Sequence, residues 1–130
     1  MEFNHVAHRL DTVHFDLVVE MLKSQLGFVE LRRIPHAIWL RQPGATVDLQ
    51  LTASTTTHRD HDKQRSQISF ISPTPREELE KLAAWFNERG VAANVGAYSE
   101  REFYLDAPAA FVDFVIEAMG PELAEYDVQL

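Results

Sequence analysis

An internal repeat constrains the fold of this chain more than any other feature of its sequence. Gly27 and Gly90 each end an amphipathic stretch, and they lie 63 positions apart in the 130-residue chain. The triplets NHV and SQI begin 62 positions apart, and the triplets VDL and VDF begin 65 positions apart. A nearly constant period indicates a structural unit that occurs twice. The predicted parts of the chain are a first module at 3–52, a linker at 53–66, a second module at 67–118 and a C-terminal tail at 119–130.

Both modules show the same predicted order of elements, which is one strand, one helix and three further strands. Apolar residues recur at helical spacing after each opening strand, and a glycine then supplies the left-handed helix stop. Alternating runs broken by Pro35 and by the pair Pro43-Gly44 indicate antiparallel hairpins. The predicted buried helix stripes are Phe15, Val18, Val19, Leu22 and Leu26 in the first module, and Leu79, Leu82, Ala83 and Phe86 in the second. The sequence therefore predicts an α+β fold of tandem βαβββ modules in a single domain, 1–130.

Polar residues interrupt several predicted strands, and Asp113 in the run FVDFVIE is the clearest case. An unpaired buried carboxylate is costly, so Asp113 needs a partner or a hydrated surface. The repeat makes Asp48 its counterpart, and it likewise pairs His5 with Gln67. Because alternate residues of a strand share a face, the polar residues lie opposite the apolar side that packs on the helix. We therefore expect each sheet to have one apolar face and one partly polar face.

Composition excludes several classes of function. The acidic residues outnumber the basic ones by 20 to 12, giving a net charge of −8, which argues against nucleic acid and against anionic membrane surfaces as partners. No apolar run is long enough for a membrane span, and the N-terminus lacks the pattern of a secretion signal, so we expect a cytoplasmic protein. The chain has no cysteine, so a metal would need ligands from His, Asp, Glu or Gln.

The sequence resembles the vicinal oxygen chelate superfamily, which includes glyoxalase I, the bleomycin resistance proteins and the extradiol dioxygenases. FNHVAHRLDTVHFDLVVEMLKSQLGF resembles the opening strand and helix of that family, with His5 at the common metal-ligand position. ATVDLQLT is similar to the strand that closes the first module, SQISF to the strand that opens the second, and FYLDAPAAFVDFVIE to the final hairpin. The resemblance implies two modules whose sheets form a cleft.

The resemblance also implies a divalent metal site, with ligands from the first and last strands of each module. The implied ligands are His5, Asp48 or Gln50, Gln67 and Asp113. Here Gln67 replaces the usual histidine, and Asp113 replaces the usual glutamate. A set rich in oxygen suits Mn, Fe, Ni, Co, Zn or Mg. Glu117 and Gln50 share strand faces with Asp113 and Asp48, so a shift of register exchanges them.

Each of these residues also has a purely structural interpretation. Asp48 and Asp113 can be carboxylates that face a hydrated groove and accept hydrogen bonds from neighbours. Trp39, Arg101 and Tyr104 can bind an apolar or anionic substrate, or they can serve in packing. His58 and His61 lie in the polar linker, which has no apolar anchor, and we interpret them as loop residues.

Two functions follow from the resemblance. The first is a glyoxalase- or dioxygenase-type metalloenzyme, in which a divalent ion chelates neighbouring oxygens of a small substrate and Asp48 or Glu117 acts as the catalytic base. The alternative is a metal-free protein of the bleomycin-resistance type that binds a hydrophobic or cationic small molecule. Open sheet edges also lead us to expect a homodimer.

Overall fold

The structure, a computed structural model, describes residues 1–56 and 63–125. The first module contains β1 (His5–Asp11), a short 3₁₀ turn (Thr12–His14), α1 (Phe15–Leu26), β2 (Val29–Ile34), β3 (Ala37–Arg41) and β4 (Asp48–Ser54). The second contains a 3₁₀ turn (Lys63–Arg65), β5 (Gln67–Ile71), α2 (Pro75–Glu88), β6 (Asn94–Ala97), β7 (Glu102–Asp106), β8 (Val115–Met119) and a final 3₁₀ turn (Pro121–Ala124).

The two modules build sheets of the same topology. The strand order is β1-β4-β3-β2 in the first sheet and β5-β8-β7-β6 in the second. In each sheet the first and last strands of the module pair in parallel, and the remaining pairs are antiparallel. The prediction of tandem βαβββ modules is therefore confirmed.

The helices bury the stripes that their periodicity predicts, with small differences. The buried residues of α2 are the four predicted ones. In α1 the buried residues are Val18, Val19, Met21 and Leu22, so Met21 takes part in the core while the flanking Phe15 and Leu26 are only half-buried. Gly27 and Gly90 have φ values of 71° and 80°, the left-handed conformation that a helix stop requires. Neither helix of the described residues has the length and apolarity needed to span a membrane.

The chain divides into two compact units whose boundary falls inside the predicted last strand. The first unit is Met1–His61 with Ala109–Asp113, and the second is Asp62–Pro108 with Phe114–Leu130. Within the first unit, Phe111 forms an isolated antiparallel bridge with Leu10 of β1. The backbone N–H of Asp11 also donates to the carbonyl of Ala110. The segment Ala109–Asp113 therefore covers part of the free edge of β1.

This arrangement corrects the predicted strand through Asp113. The strand β8 begins at Val115, and Asp113 lies before it, in the segment that pairs with β1. The register also corrects the internal repeat. His5 is opposite Asp48, whereas its counterpart Gln67 is opposite Val115.

Asp48 in β4 therefore corresponds to Val115 in β8. Two residues further along these strands, Gln50 and Glu117 are the true counterparts in the repeat. The matching triplets VDL and VDF misled the sequence alignment, because the chain bends before β8 and shifts the register by two residues.

Candidate functional site

The polar side of the first sheet carries several of the predicted site residues. We call this side the first polar face, and its residues are His5 and Arg9 of β1, Trp39 and Arg41 of β3, and Asp48, Gln50 and Thr52 of β4. Pairing in register brings His5 beside Asp48 and Trp39 beside Gln50. The opposite side presents buried apolar residues, including Leu49 and Leu51. The predicted division into an apolar face and a polar face holds here.

Asp48 is buried and already has a cationic partner. Both of its carboxylate oxygens accept from Arg41, at 2.5 Å from Nε and 3.2 Å from Nη2. The hydrogen bond from this carboxylate and its charge raise the pKa of Arg41 above its usual value. A bidentate guanidinium pair is a strong, geometrically defined contact. Asp48 thus acts as the acceptor of an ion pair with Arg41.

The other predicted residues of the first polar face make weaker contacts. His5 is exposed, and its Nδ1 lies 2.9 Å from Oδ1 of Asn4. The side-chain amide of Gln50 donates to the hydroxyl of Thr52 at 3.4 Å. Trp39 is half-buried, and the guanidinium of Arg32 lies 5.3 Å from the centre of its ring, within the range of a cation–π contact.

Asp113 is bound to the edge of β1. One carboxylate oxygen accepts from the backbone N–H of Arg9 at 3.0 Å and lies 3.4 Å from Nδ1 of His8. The other oxygen accepts from Nε of Arg9 at 3.3 Å. The N–H of Val112 donates to the carbonyl of Arg9, so backbone and side chain hold the segment together. These contacts are those of a structural carboxylate at a sheet edge.

The polar side of the second sheet, the second polar face, is more acidic and more aromatic. Its residues are Gln67 and Ser69 of β5, Glu117 of β8, Tyr104 and Asp106 of β7, and Tyr98, which follows β6. Glu117 is only 7% exposed, and one of its oxygens accepts from the hydroxyl of Ser69 at 2.6 Å. Tyr104 is opposite Glu117 in register. Among the described residues, no cation forms an ion pair with Glu117.

Tyr98 is a member of this face that the sequence did not single out. Its ring lies 4.9 Å from that of Tyr104, and its hydroxyl donates to the carbonyl of Gln64. Burial raises the pKa of Tyr98 above its usual value, the hydrogen bond with Gln67 opposes this, and the negative charge of Glu117 adds to the rise. The phenol is therefore neutral at physiological pH.

Gly96 makes room for this pair of tyrosines. It is opposite Tyr104, and a Cβ atom at position 96 would lie 2.4 Å from the Tyr104 ring and its hydroxyl. Glycine thus allows the ring to lie directly over the backbone of β6. The sequence contains no local signal for this aromatic pair, because Gly96 and Tyr104 meet only when β6 and β7 pair.

Lys63 and Asp106 form an ion pair that the sequence analysis also missed. Nζ of Lys63 lies 2.7 Å from Oδ1 of Asp106, and both side chains are nearly buried. This pair compensates the charge of Asp106. Lys63 lies in the stretch predicted to be a solvated linker, where composition gave no sign of a buried lysine.

Arg101 lies away from the second polar face. It precedes β7 and lines a pocket of about 320 Å³ beside the start of α2, with Arg76 and Glu122 among its neighbours. The structure therefore does not bring Arg101 together with Tyr104 on this face. His58 and His61 lie outside the described residues.

The implied metal ligands do not form a metal site in the part of the chain that the structure describes. No group of three or more His, Asp or Glu side chains is placed to hold an ion there. Asp48 and Asp113 are engaged by arginines, and Gln67 donates to the carbonyl of Gln64 at 3.4 Å. In the first unit, both aspartates of the implied ligand set therefore already contact an arginine.

Solved structures with the same fold cover almost the whole chain at low sequence identity. A protein from Bacillus cereus, described as a possible glyoxalase, aligns with a TM-score of 0.59 and 20% identity over 92% of this chain and 98% of that one. A lactoylglutathione lyase from Agrobacterium tumefaciens aligns with a TM-score of 0.57 and 11% identity over 97% and 98%. An antibiotic binding protein from a Streptomyces species aligns with a TM-score of 0.54 and 16% identity over 93% and 96%.

Neither a protein-family model nor a curated protein matches the sequence. At these identities the likeness concerns the fold alone. The chain shares the fold of these solved structures, and a further one with the same fold is a protein from Nocardioides described as a glyoxalase/bleomycin resistance protein/dioxygenase, with a TM-score of 0.54 and 16% identity.

Proposed function

We propose that this chain is a metal-free, cytoplasmic binding protein for a small organic molecule, and that the second polar face is its binding surface. The supporting observation is that the chain supplies its own cations to most of the carboxylates in question. The compensated pairs are Asp48 with Arg41, Asp113 with Arg9, and Asp106 with Lys63. A divalent ion at one of these carboxylates would be repelled by the positive charge that already lies beside it.

Glu117 differs from the other carboxylates, and this difference defines the expected ligand. Its only hydrogen-bond donor among the described side chains is the neutral hydroxyl of Ser69. A buried carboxylate without a cation attracts a positively charged group. Tyr98 and Tyr104 lie beside it, and their rings provide both apolar area and a surface that attracts cations. We therefore expect a flat organic ligand that carries an ammonium or guanidinium group.

Paired probes of equal size and opposite charge test this proposal. We expect a naphthylmethyl trimethylammonium ion to bind in calorimetric titration and a naphthalene sulfonate of similar size not to bind. Glu117→Gln should weaken binding of the cation at least about tenfold, since two opposite charges in contact near a protein surface attract by a few kcal/mol and each 1.4 kcal/mol is about a tenfold change in affinity. Glu80→Gln, an exposed glutamate of α2, is the matched control and should leave the affinity unchanged. Equal binding of both probes, or equal loss in both variants, would contradict the proposal.

The competing function is a glyoxalase- or dioxygenase-type metalloenzyme, with Glu117 or Asp48 as its base. Two observations favour it: His5 lies beside Asp48 in register, and Glu117 is a carboxylate without a cationic partner. Metal analysis of protein purified without added metal separates the two functions. One equivalent of bound Mn, Fe, Ni, Co or Zn, together with a higher unfolding temperature that chelator abolishes, would favour the enzyme. The binding protein should contain no metal and should unfold at the same temperature with and without chelator.

A further inference from the structure

The edge strand β2 is the most exposed strand of the first sheet. It ends the strand order of that sheet and pairs only with β3 among the described strands. All six of its residues are exposed, whereas three of the five residues of β3 are buried. An uncovered edge presents backbone N–H and C=O groups that can pair with another strand.

Apolar side chains are concentrated on this exposed strand. Val29, Leu31 and Ile34 are between 40% and 53% exposed. They make up three of the nine large hydrophobic residues that are exposed in the described part of the chain. The segment has no proline or lysine, which commonly keep an edge strand from pairing, but it carries Glu30, Arg32 and Arg33 and a bulge, which limit pairing with unrelated strands. A strand of complementary sequence can therefore pair with this edge.

The sequence of β2, VELRRI, is complementary to itself when read in the opposite direction. If two copies pair antiparallel about a two-fold axis between Leu31 and Arg32, Val29 of one copy is opposite Ile34 of the other. Glu30 is then opposite Arg33 of the second copy. Each of these contacts occurs twice, so one such strand pair has two apolar contacts, two contacts between opposite charges and, at its centre, two contacts of Leu31 with Arg32.

The faces of the strand agree with this pairing. Glu30 contacts Lys23 of α1, and Arg33 contacts Asp16 of α1, so both charged side chains lie on the helix side of the sheet. Val29 and Ile34 are opposite Arg41 and Ala37 of β3, which places both on the other side. A register shift between Glu30 and Arg32 makes this possible, because a bulge changes the alternation of side chains along β2.

We propose that β2 pairs antiparallel with β2 of a second copy of this chain, which joins the two first sheets across a two-fold axis. This inference is independent of the proposed ligand, because β2 is not part of the second polar face. Six residues from each copy form an interface smaller than that of a permanent dimer, so we expect reversible association that depends on concentration.

Charge exchange between two variants tests the pairing directly. Glu30→Arg makes every cross-copy contact at these positions a contact of two arginines, and Arg33→Glu makes it a contact of two glutamates. Each variant alone should associate at least tenfold more weakly than the wild type in sedimentation equilibrium. An equimolar mixture of the two variants should form heterodimers, because each arginine at position 30 then faces a glutamate at position 33.

The mixture also separates this contact from the ion pair between Glu30 and Arg33 within one chain. That internal pair stays broken in both variants, so recovery of association can come only from contacts between chains. The proposal is overturned if the wild type is monomeric at high concentration, if either variant alone associates as tightly as the wild type, or if the mixture forms no heterodimer while the wild type dimerises. Circular dichroism checks that both variants fold. If either does not, Val29→Asp mixed with Ile34→Lys makes the same test at two positions that do not contact α1, with the same two outcomes.

Discussion

Replacement of Asp113 tests whether this carboxylate is structural or serves as a metal ligand. Its bond from the backbone N–H of Arg9 is 3.0 Å long, and the aspartate side chain is 23% exposed. A hydrogen bond to a charged group contributes about 1.5–3 kcal/mol, and partial exposure favours the lower end. The contact with the guanidinium of Arg9 adds at most about 0.5 kcal/mol, because that side chain is 51% exposed.

We therefore expect Asp113→Ala to lower the free energy of unfolding by about 2 kcal/mol. For a domain of this size, that corresponds to a fall of roughly 6–8 °C in the unfolding temperature. Asp113→Asn keeps an oxygen that can accept from Arg9 and loses only the charge, so about half of this effect is expected. Hydrogen exchange at the Arg9 amide should quicken in the alanine variant, because its acceptor is removed.

Urea unfolding of both variants, with and without chelator, measures these effects. Asp16→Ala is the matched control, because that aspartate belongs to the same unit and its side chain is 91% exposed. A structural Asp113 gives losses that do not depend on metal or chelator. If both variants are as stable as the wild type without metal, and lose a stabilisation that added Mn or Ni gives to the wild type, the structural interpretation is wrong.

Three further changes test other parts of the structure. Gly96→Ala should displace the ring of Tyr104 and weaken binding of the cationic probe, with little change in unfolding temperature. An unchanged affinity would show that this ring does not contact the ligand. The pKa of Tyr98 is raised in the folded state, so the contribution of the neutral phenol to stability should be complete below the ordinary tyrosine pKa. This contribution should decline as the pH rises through the folded-state pKa. Tyr98→Phe should therefore remove that part of the decline from unfolding curves measured at alkaline pH. Phe111→Ala should cost about 3–5 kcal/mol in urea unfolding, because its ring is fully buried, and a cost near zero would contradict its place in the core.

The fold was predictable because its signals are local. The stripe Leu79, Leu82, Ala83 and Phe86 follows from helical periodicity, and the glycine stops follow from backbone geometry, so both can be found within one short window. The course of the chain at Asp113 depends instead on Arg9, a residue 104 positions away. No local pattern contains that contact, and a run of apolar residues around an aspartate is equally compatible with a continuous strand.

The candidate site was less predictable because it depends on register. Asp48, Gln50 and Glu117 were identified as polar strand residues, but their partners were not. Arg41 and Asp48 lie only seven positions apart across a hairpin, yet they meet only if β3 and β4 pair in the observed register. A shift by one residue would have placed them on opposite faces.

The corrected register changes what the repeat implies about function. His5 is opposite Asp48, and Gln67 is opposite Val115. Two residues further along each strand lie Gln50 and Glu117, which therefore occupy equivalent positions. At this position the first module has a neutral amide, beside a carboxylate that Arg41 already neutralises, and the second has a carboxylate beside two tyrosines. The two modules have the same strand topology, but the side chains at this position of their polar faces differ in charge. Recognition of one cationic ligand requires an uncompensated carboxylate in only one module, and among the described residues of the second polar face Glu117 is that carboxylate. The asymmetry at Gln50 and Glu117 is therefore the feature that locates the proposed cationic ligand on the second module.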